Sequence, residues 1–154
     1  YEIAENCMTC HGLANLQLKA DDLAKMLGAG HPINPDFELV KYSQGSVRHR
    51  HYPPDMKTNA EMTAKEQAEF FVIGQAAALI SATSVMSKSS ETKYIEAQKK
   101  RAENAKKALS GVAEAAELLA SPNRENALKL AATIASKDLT SAVGSMLPTK
   151  GDYK

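Results

Sequence analysis

An all-α fold follows from three observations on the 154-residue sequence. No stretch alternates apolar and polar residues as a half-buried strand does, whereas apolar residues recur at spacings of three and four along several runs. Capping signals stand ahead of those runs, and the 44% hydrophobic and 24% charged shares exclude wholesale disorder and collagen-like repeats.

Each element has its own local warrant. Tyr1–Cys10 reads as the end of a helix, broken at Gly12. Asp21–Leu27 is a short amphipathic helix stopped by Gly28-Ala29-Gly30. Asn34-Pro35 places a cap before a proline at the first helical position, opening a helix, Asp36–Ser43, that carries Phe37, Leu39, Val40 and Tyr42. Gly45 to Pro54 is read as non-helical. Thr63-Ala64-Lys65-Glu66 is a capping box that opens Glu66–Ile80, with Phe70, Ile73, Ala77 and Ile80 on one face. No residue from Phe70 to Ser87 is charged, but Gly74, Gln75, Ser81, Thr83, Ser84 and Ser87 interrupt the run. A buried helix is therefore expected and no transmembrane segment, since a span needs about 20 predominantly apolar residues.

The chain changes character at Ser87-Lys88-Ser89-Ser90. Residues 1–88 hold both cysteines, all four histidines and six of the eight aromatics; residues 89–154 are rich in Ala and Lys. We read them as a first domain, 1–88, and a helical extension, 89–154. In the extension Ile95, Ala102, Ala105, Leu109, Val112, Ala116 and Leu119 form one narrow stripe on a long helix. Ser121-Pro122 ends it and caps the next, striped with Ala127, Leu130, Ala131 and Ile134, and Ser136 caps a last short helix before Pro148. Such a hairpin needs another surface, either the first domain or a partner protein.

The two cysteines stand as Cys7-Met8-Thr9-Cys10, followed at once by His11. Two thiols cannot build a four-thiolate zinc or iron–sulfur site or staple a disulfide scaffold. His31, His49 and His51 lack the H-x3–5-H spacing of a zinc site, and no strand precedes the pair as in a thioredoxin-like dithiol. C-x-x-C-H reads instead as an attachment site for one haem c. Cys7 and Cys10 then form thioethers to the two vinyl groups, and the His11 imidazole is the proximal iron ligand.

The order of features over the first half of the chain resembles class I cytochromes c. Cys7-Met8-Thr9-Cys10-His11-Gly12 matches the end of that family's first helix. Tyr52-Pro53-Pro54-Asp55-Met56 matches its proline-rich methionine loop, and Met62-Thr63-Ala64-Lys65-Glu66 the opening of its last helix. The resemblance implies a cytochrome c-like haem domain followed by a helical hairpin that is not part of the minimal family fold. A cytochrome c′ bundle is disfavoured, because there the haem motif lies near the C-terminus.

The second axial ligand separates electron transfer from ligand binding. Met56 is the first candidate; its thioether would raise the potential and close the iron to other ligands. His51 would make a lower-potential bis-His haem, while His49, Met62 and His31 are further candidates, and an open five-coordinate iron is the remaining alternative. Tyr52 is placed to hydrogen-bond a ligand or propionate, or to pack. Arg48 and Arg50 either hold the two propionates or, with His49, His51, Lys41 and Lys57, form a basic rim that steers an acidic partner.

Net charge is +1, from 19 Lys+Arg against 18 Asp+Glu, too balanced for coating nucleic acid. The run Lys99, Lys100, Arg101, Lys106 and Lys107 interleaves with Glu91, Glu96 and Glu103 and lacks aromatics. It reads as a solvated helix face.

The expected function is single-electron transfer between redox partner proteins, with the chain free or a subunit of a larger membrane or periplasmic complex. No enzymatic acid–base chemistry is needed. The alternatives are a haem-based ligand-binding or sensor module with an open or labile sixth site, and a structural subunit tethering a haem. Covalent haem c is assembled outside the cytoplasm, so a periplasmic or otherwise extracytoplasmic location is expected. No leader precedes Tyr1, so the chain is read as processed or trimmed, with an upstream lipid anchor left open.

Overall fold

Residues 1–45 and 61–154 are described by the computed structural model, and they are helical with no strand among them. Helix α1, Glu2–His11, starts with Glu2 and Glu5 in its first turn, negative charges matched to the positive end of its dipole, and ends on His11. Gly12 follows as its C-cap. A Cβ there would stand 2.4 Å from the Met8 carbonyl oxygen, so only glycine lets the chain pass this close to the helix end. Helix α2, Ala20–Gly28, buries Leu23 in a small second cluster with Leu13, Ala14, Val85 and Tyr94.

Helix α3 is shorter than the sequence suggests, running over Leu39–Ser43. Asn34 does not cap it: the Asn34 side chain turns back to the Asp36 backbone N–H at 3.1 Å, an Asx turn that holds Pro35 and Asp36 outside the helix. The cap is Glu38, whose two carboxylate oxygens accept from the backbone N–H groups of Val40 and Lys41 at 2.9 and 2.8 Å. Burial nevertheless pushes the Glu38 carboxyl above its ordinary value, because those bonds offset only part of the desolvation.

Helix α4, Ala64–Val85, begins with the expected capping box in full. Thr63 Oγ1 accepts from the Glu66 N–H, and the Glu66 carboxylate accepts from the Thr63 N–H. By length and composition alone the stretch Ala64–Lys88 passes for a membrane-crossing helix. Its surroundings are protein, however: Ala68, Val72, Leu79, Ala82 and Val85 are inaccessible. Burial extends round the helix rather than along the single face expected from Phe70, Ile73, Ala77 and Ile80. Gly74 is the point of closest approach, since a Cβ there would meet Leu39 of α3 at 3.0 Å.

The long helix expected after Ser90 is broken. Helix α5 spans Thr92–Leu109 and α6 spans Ala116–Ala120, with Ser110, Gly111 and a 3-10 turn between them. Gly111 is the weakest helix former in the run, and the break there shifts the buried positions of α6 by one residue. Ala115 and Leu118 are buried there in place of the expected Ala116 and Leu119. Ahead of the break Ala102, Ala105 and Leu109 are buried as expected, and at the start of α5 Tyr94 is buried in place of Ile95. Helix α7, Arg124–Ile134, is capped by Asn123 Oδ1 on the Asn126 N–H at 2.9 Å, not by Ser121. Ser136 is likewise no cap; it adopts a left-handed φ of 70°. Asp138, two residues on, accepts from the Thr140 N–H and hydroxyl to open α8, Thr140–Val143.

Helix α4 is the centre of the fold, with α1, α3, α5, α7 and α8 packed against it. The main hydrophobic cluster runs without interruption from Ala4 and Met8 through Val72 and Leu79 to Leu109, Leu118, Leu130 and Val143. Residues from both sides of Ser87–Ser90 thus share one core, and the apolar face of α5 is covered by α4 within the chain.

Candidate functional site

The chemistry-bearing residues of the sequence collect at the C-terminal end of α1. Cys7 is half-buried against the main core, while Cys10 and His11 are exposed. Both thiols are free. Burial pushes the Cys7 thiol above its ordinary value of 9.0, and the neighbouring Cys10 adds a smaller push in the same direction. Cys10 Sγ lies 3.8 Å from the Thr9 hydroxyl.

The His11 ring lies flat on Phe37, with centroids 4.0 Å apart and planes 3° from parallel. Tyr42 of α3 flanks both rings, at 4.8 Å from Phe37 and 6.1 Å from His11. Its hydroxyl accepts from Asn34 Nδ2 at 2.9 Å. The Asx turn and α3 thus build an aromatic floor that fixes one face of the imidazole.

Just beyond His11 the backbone turns sharply. Leu13 adopts φ of 49°, the left-handed region that β-carbon crowding disfavours. Three side chains of α5, spaced i, i+4 and i+7 on one face, hold this turn. The Tyr94 hydroxyl donates to the Leu13 carbonyl at 2.9 Å, and Gln98 Nε2 to the Gly12 carbonyl at 2.8 Å. Arg101 Nη1 donates to Gly12 O at 3.1 Å, and its Nη2 to His11 O at 3.3 Å and to Asn34 O at 2.8 Å. Arg101 Nη1 also contacts Gln98 Oε1, joining the three into one network.

Arg101 is only 2% exposed, which corrects its reading as part of a solvated basic face. Lys99, Lys100, Lys106 and Lys107 do face solvent. The physical reason is position. Arg101 falls on the same stripe as Ala97, Ala105 and Ala108, and it meets the last carbonyls of α1, where the helix dipole favours a cation. Burial lowers the guanidinium's proton affinity, yet it stays charged, with carbonyls rather than a carboxylate as its bonded partners.

The start of α1 is tied down as well. Arg124 of α7 makes a forked ion pair to Glu5 at 2.9 Å and reaches Glu2 at 3.3 Å. Both ends of the cysteine-bearing helix are therefore held by the second half of the chain.

Other candidates from the sequence lie apart from this cluster. His31 Nδ1 donates to the Pro32 carbonyl at 3.0 Å and lines a cleft of about 530 Å³ with Leu27, Ile33, Pro35 and Ala97. Met62 is half-buried at the start of α4, its N–H donating to Gln44 Oε1 and its carbonyl accepting from Gln67 Nε2, each at 2.9 Å. Arg48, His49, Arg50, His51, Tyr52 and Met56 lie outside the described residues. Among the described residues no three His, Cys, Asp or Glu side chains converge to hold a metal ion. The donor set at the end of α1 is two thiols that can each form a bond at the edge of a group, and one imidazole carried by the next residue.

No family model, curated protein or solved structure matches the chain.

Proposed function

We propose that the chain is a monohaem c-type cytochrome, similar to class I cytochromes c, that passes single electrons between redox partner proteins outside the cytoplasm. The observation that carries this reading is the end of α1: Cys7 and Cys10, free and one helical turn apart, with His11 directly after them and stacked on Phe37. Bound there, a haem would supply an iron that cycles between ferrous and ferric states. Cys7 and Cys10 would anchor it by thioethers, and His11, one face of its ring against Phe37, would be the proximal ligand. Met56 is the proposed second ligand, and Arg48, Arg50 and Tyr52 the proposed partners of the propionates, on sequence grounds. The haem-binding part is proposed to lie in residues 1–88, with α5 supporting it from residues 89–154. Outer-sphere transfer asks no proton chemistry of any of these residues.

Co-expression with a c-type maturation system tests the reading. One haem per chain should survive acid–acetone extraction, and C7A/C10A should lose it; a folded chain that takes up none ends the proposal. In the loaded protein, M56A should abolish the Fe(III)–thioether charge-transfer band. Rapid carbon monoxide binding to the reduced wild type would favour the ligand-binding alternative over the electron carrier.

A further inference from the structure

Arg101 is the one charged side chain sealed within the described core, and the function above gives it no task. We propose that Arg101 is a positioning residue for His11 and that its buried charge sets the site's reduction potential, favouring the ferrous state; this rests on the haem reading. The geometry has two parts. Arg101 grips the carbonyls of His11, Gly12 and Asn34 together, joining the residue that would ligate iron to the segment that carries its stacking partner Phe37. Its positive charge is bonded to dipoles only, and Nε is buried without a partner. The nearby carboxylate, Asp36, is already engaged by Lys100 Nζ at 2.8 Å and by Asn104 Nδ2 at 3.3 Å. An unneutralised cation in a low-dielectric interior acts at longer range than one in water. It opposes the extra positive charge of a ferric centre more than it opposes a ferrous one.

Gln98 separates the two parts, because it bonds the same Gly12 carbonyl without carrying charge. The test uses full-length holoprotein of wild type, R101M, R101Q, Q98L and the exposed control K99M. Midpoint potentials are read by optical redox titration and unfolding midpoints by circular dichroism. R101M and R101Q should have lower potentials than wild type. Q98L should be destabilised while keeping a potential close to wild type, and K99M should be unchanged in both. R101Q retains an amide donor, so it supplies the neutral variant if R101M yields no holoprotein. A neutral variant with the wild-type potential overturns the proposal, as does a Q98L shift equal to that of R101Q. A wild-type chain that takes up no haem instead removes the functional reading beneath it, an outcome distinct from haem loaded normally at an unchanged potential.

Discussion

Replacing Tyr94 by Phe removes a single oxygen from a side chain that is 0% exposed, and leaves the ring in place. The lost bond is the one to the Leu13 carbonyl, 81 residues away in sequence. That carbonyl is then a buried acceptor without this donor, a defect that typically costs about 1–3 kcal/mol. The bond also restrains Leu13 at φ of 49°, a conformation that stores about 1–3 kcal/mol and persists only while its surroundings enforce it. We expect Y94F to lose about 2 kcal/mol, which for a domain of this size lowers the melting midpoint by about 4–8 °C. Chemical and thermal unfolding followed by circular dichroism give the number. Tyr153 is the comparison, because its half-buried hydroxyl makes only a long 3.5 Å contact to Gln67 Oε1, and Y153F should change stability by under about 0.5 kcal/mol. Equal effects of Y94F and Y153F would refute the idea that the turn after His11 is held by α5. There is a pH signature too. Burial raises the Tyr94 phenol above its ordinary value of 10.0, so wild type loses stability as pH climbs past 10 and the unfolded chain ionises first. Y94F should lack that tyrosine's share of the loss.

Three further outcomes follow from the same structure. In the haem-free chain, iodoacetamide at pH 8 should alkylate exposed Cys10 before Cys7; the Cys7 profile should lie at higher pH because its thiolate is disfavoured by burial, and mass spectrometry should show the difference vanish in denaturant. T63A should cost about 0.5–2 kcal/mol at pH 7 through the lost cap of α4. The Thr63 N–H and then the Thr63 hydroxyl hold the Glu66 carboxyl below its ordinary 4.5. T63A keeps the first bond and loses the second, whose stabilisation is present above that pH and is lost on acidification below it, so urea titrations at pH 7 and 3 should show the T63A deficit shrinking. A chain cut after Ser90 loses α5 and its half of the main core, so it should show no cooperative unfolding transition, and a wild-type-like melt of that fragment would contradict the shared core.

The helical class, the box at Thr63 and the C-x-x-C-H cluster were legible in the sequence because each is written in neighbouring residues. The support of that cluster was not. Tyr94, Gln98 and Arg101 reach carbonyls more than eighty positions away, and no local pattern encodes a backbone acceptor. Their i, i+4, i+7 spacing beside Ala97, Ala105 and Ala108 was the available signal, but the charge on Arg101 pointed to solvent. The phase of the extension was misread at Gly111, where a continuous stripe conceals a break. At Gly12 the glycine was legible as a stop, while the left-handed residue proved to be Leu13, whose strain is tolerated because tertiary bonds enforce it.

The distance along the chain between α1 and its clamp also has a temporal side. Synthesis delivers residues 7–11 first, and Tyr94, Gln98 and Arg101 arrive only after some eighty more have been added. Until then the turn at Leu13 has only its local backbone bonds to Met8, Thr9 and Cys10, and contacts this far apart in sequence close late in folding. Cys10 stays exposed in the folded chain, so the arrival of α5 fixes the backbone turn after His11 and leaves that thiol accessible.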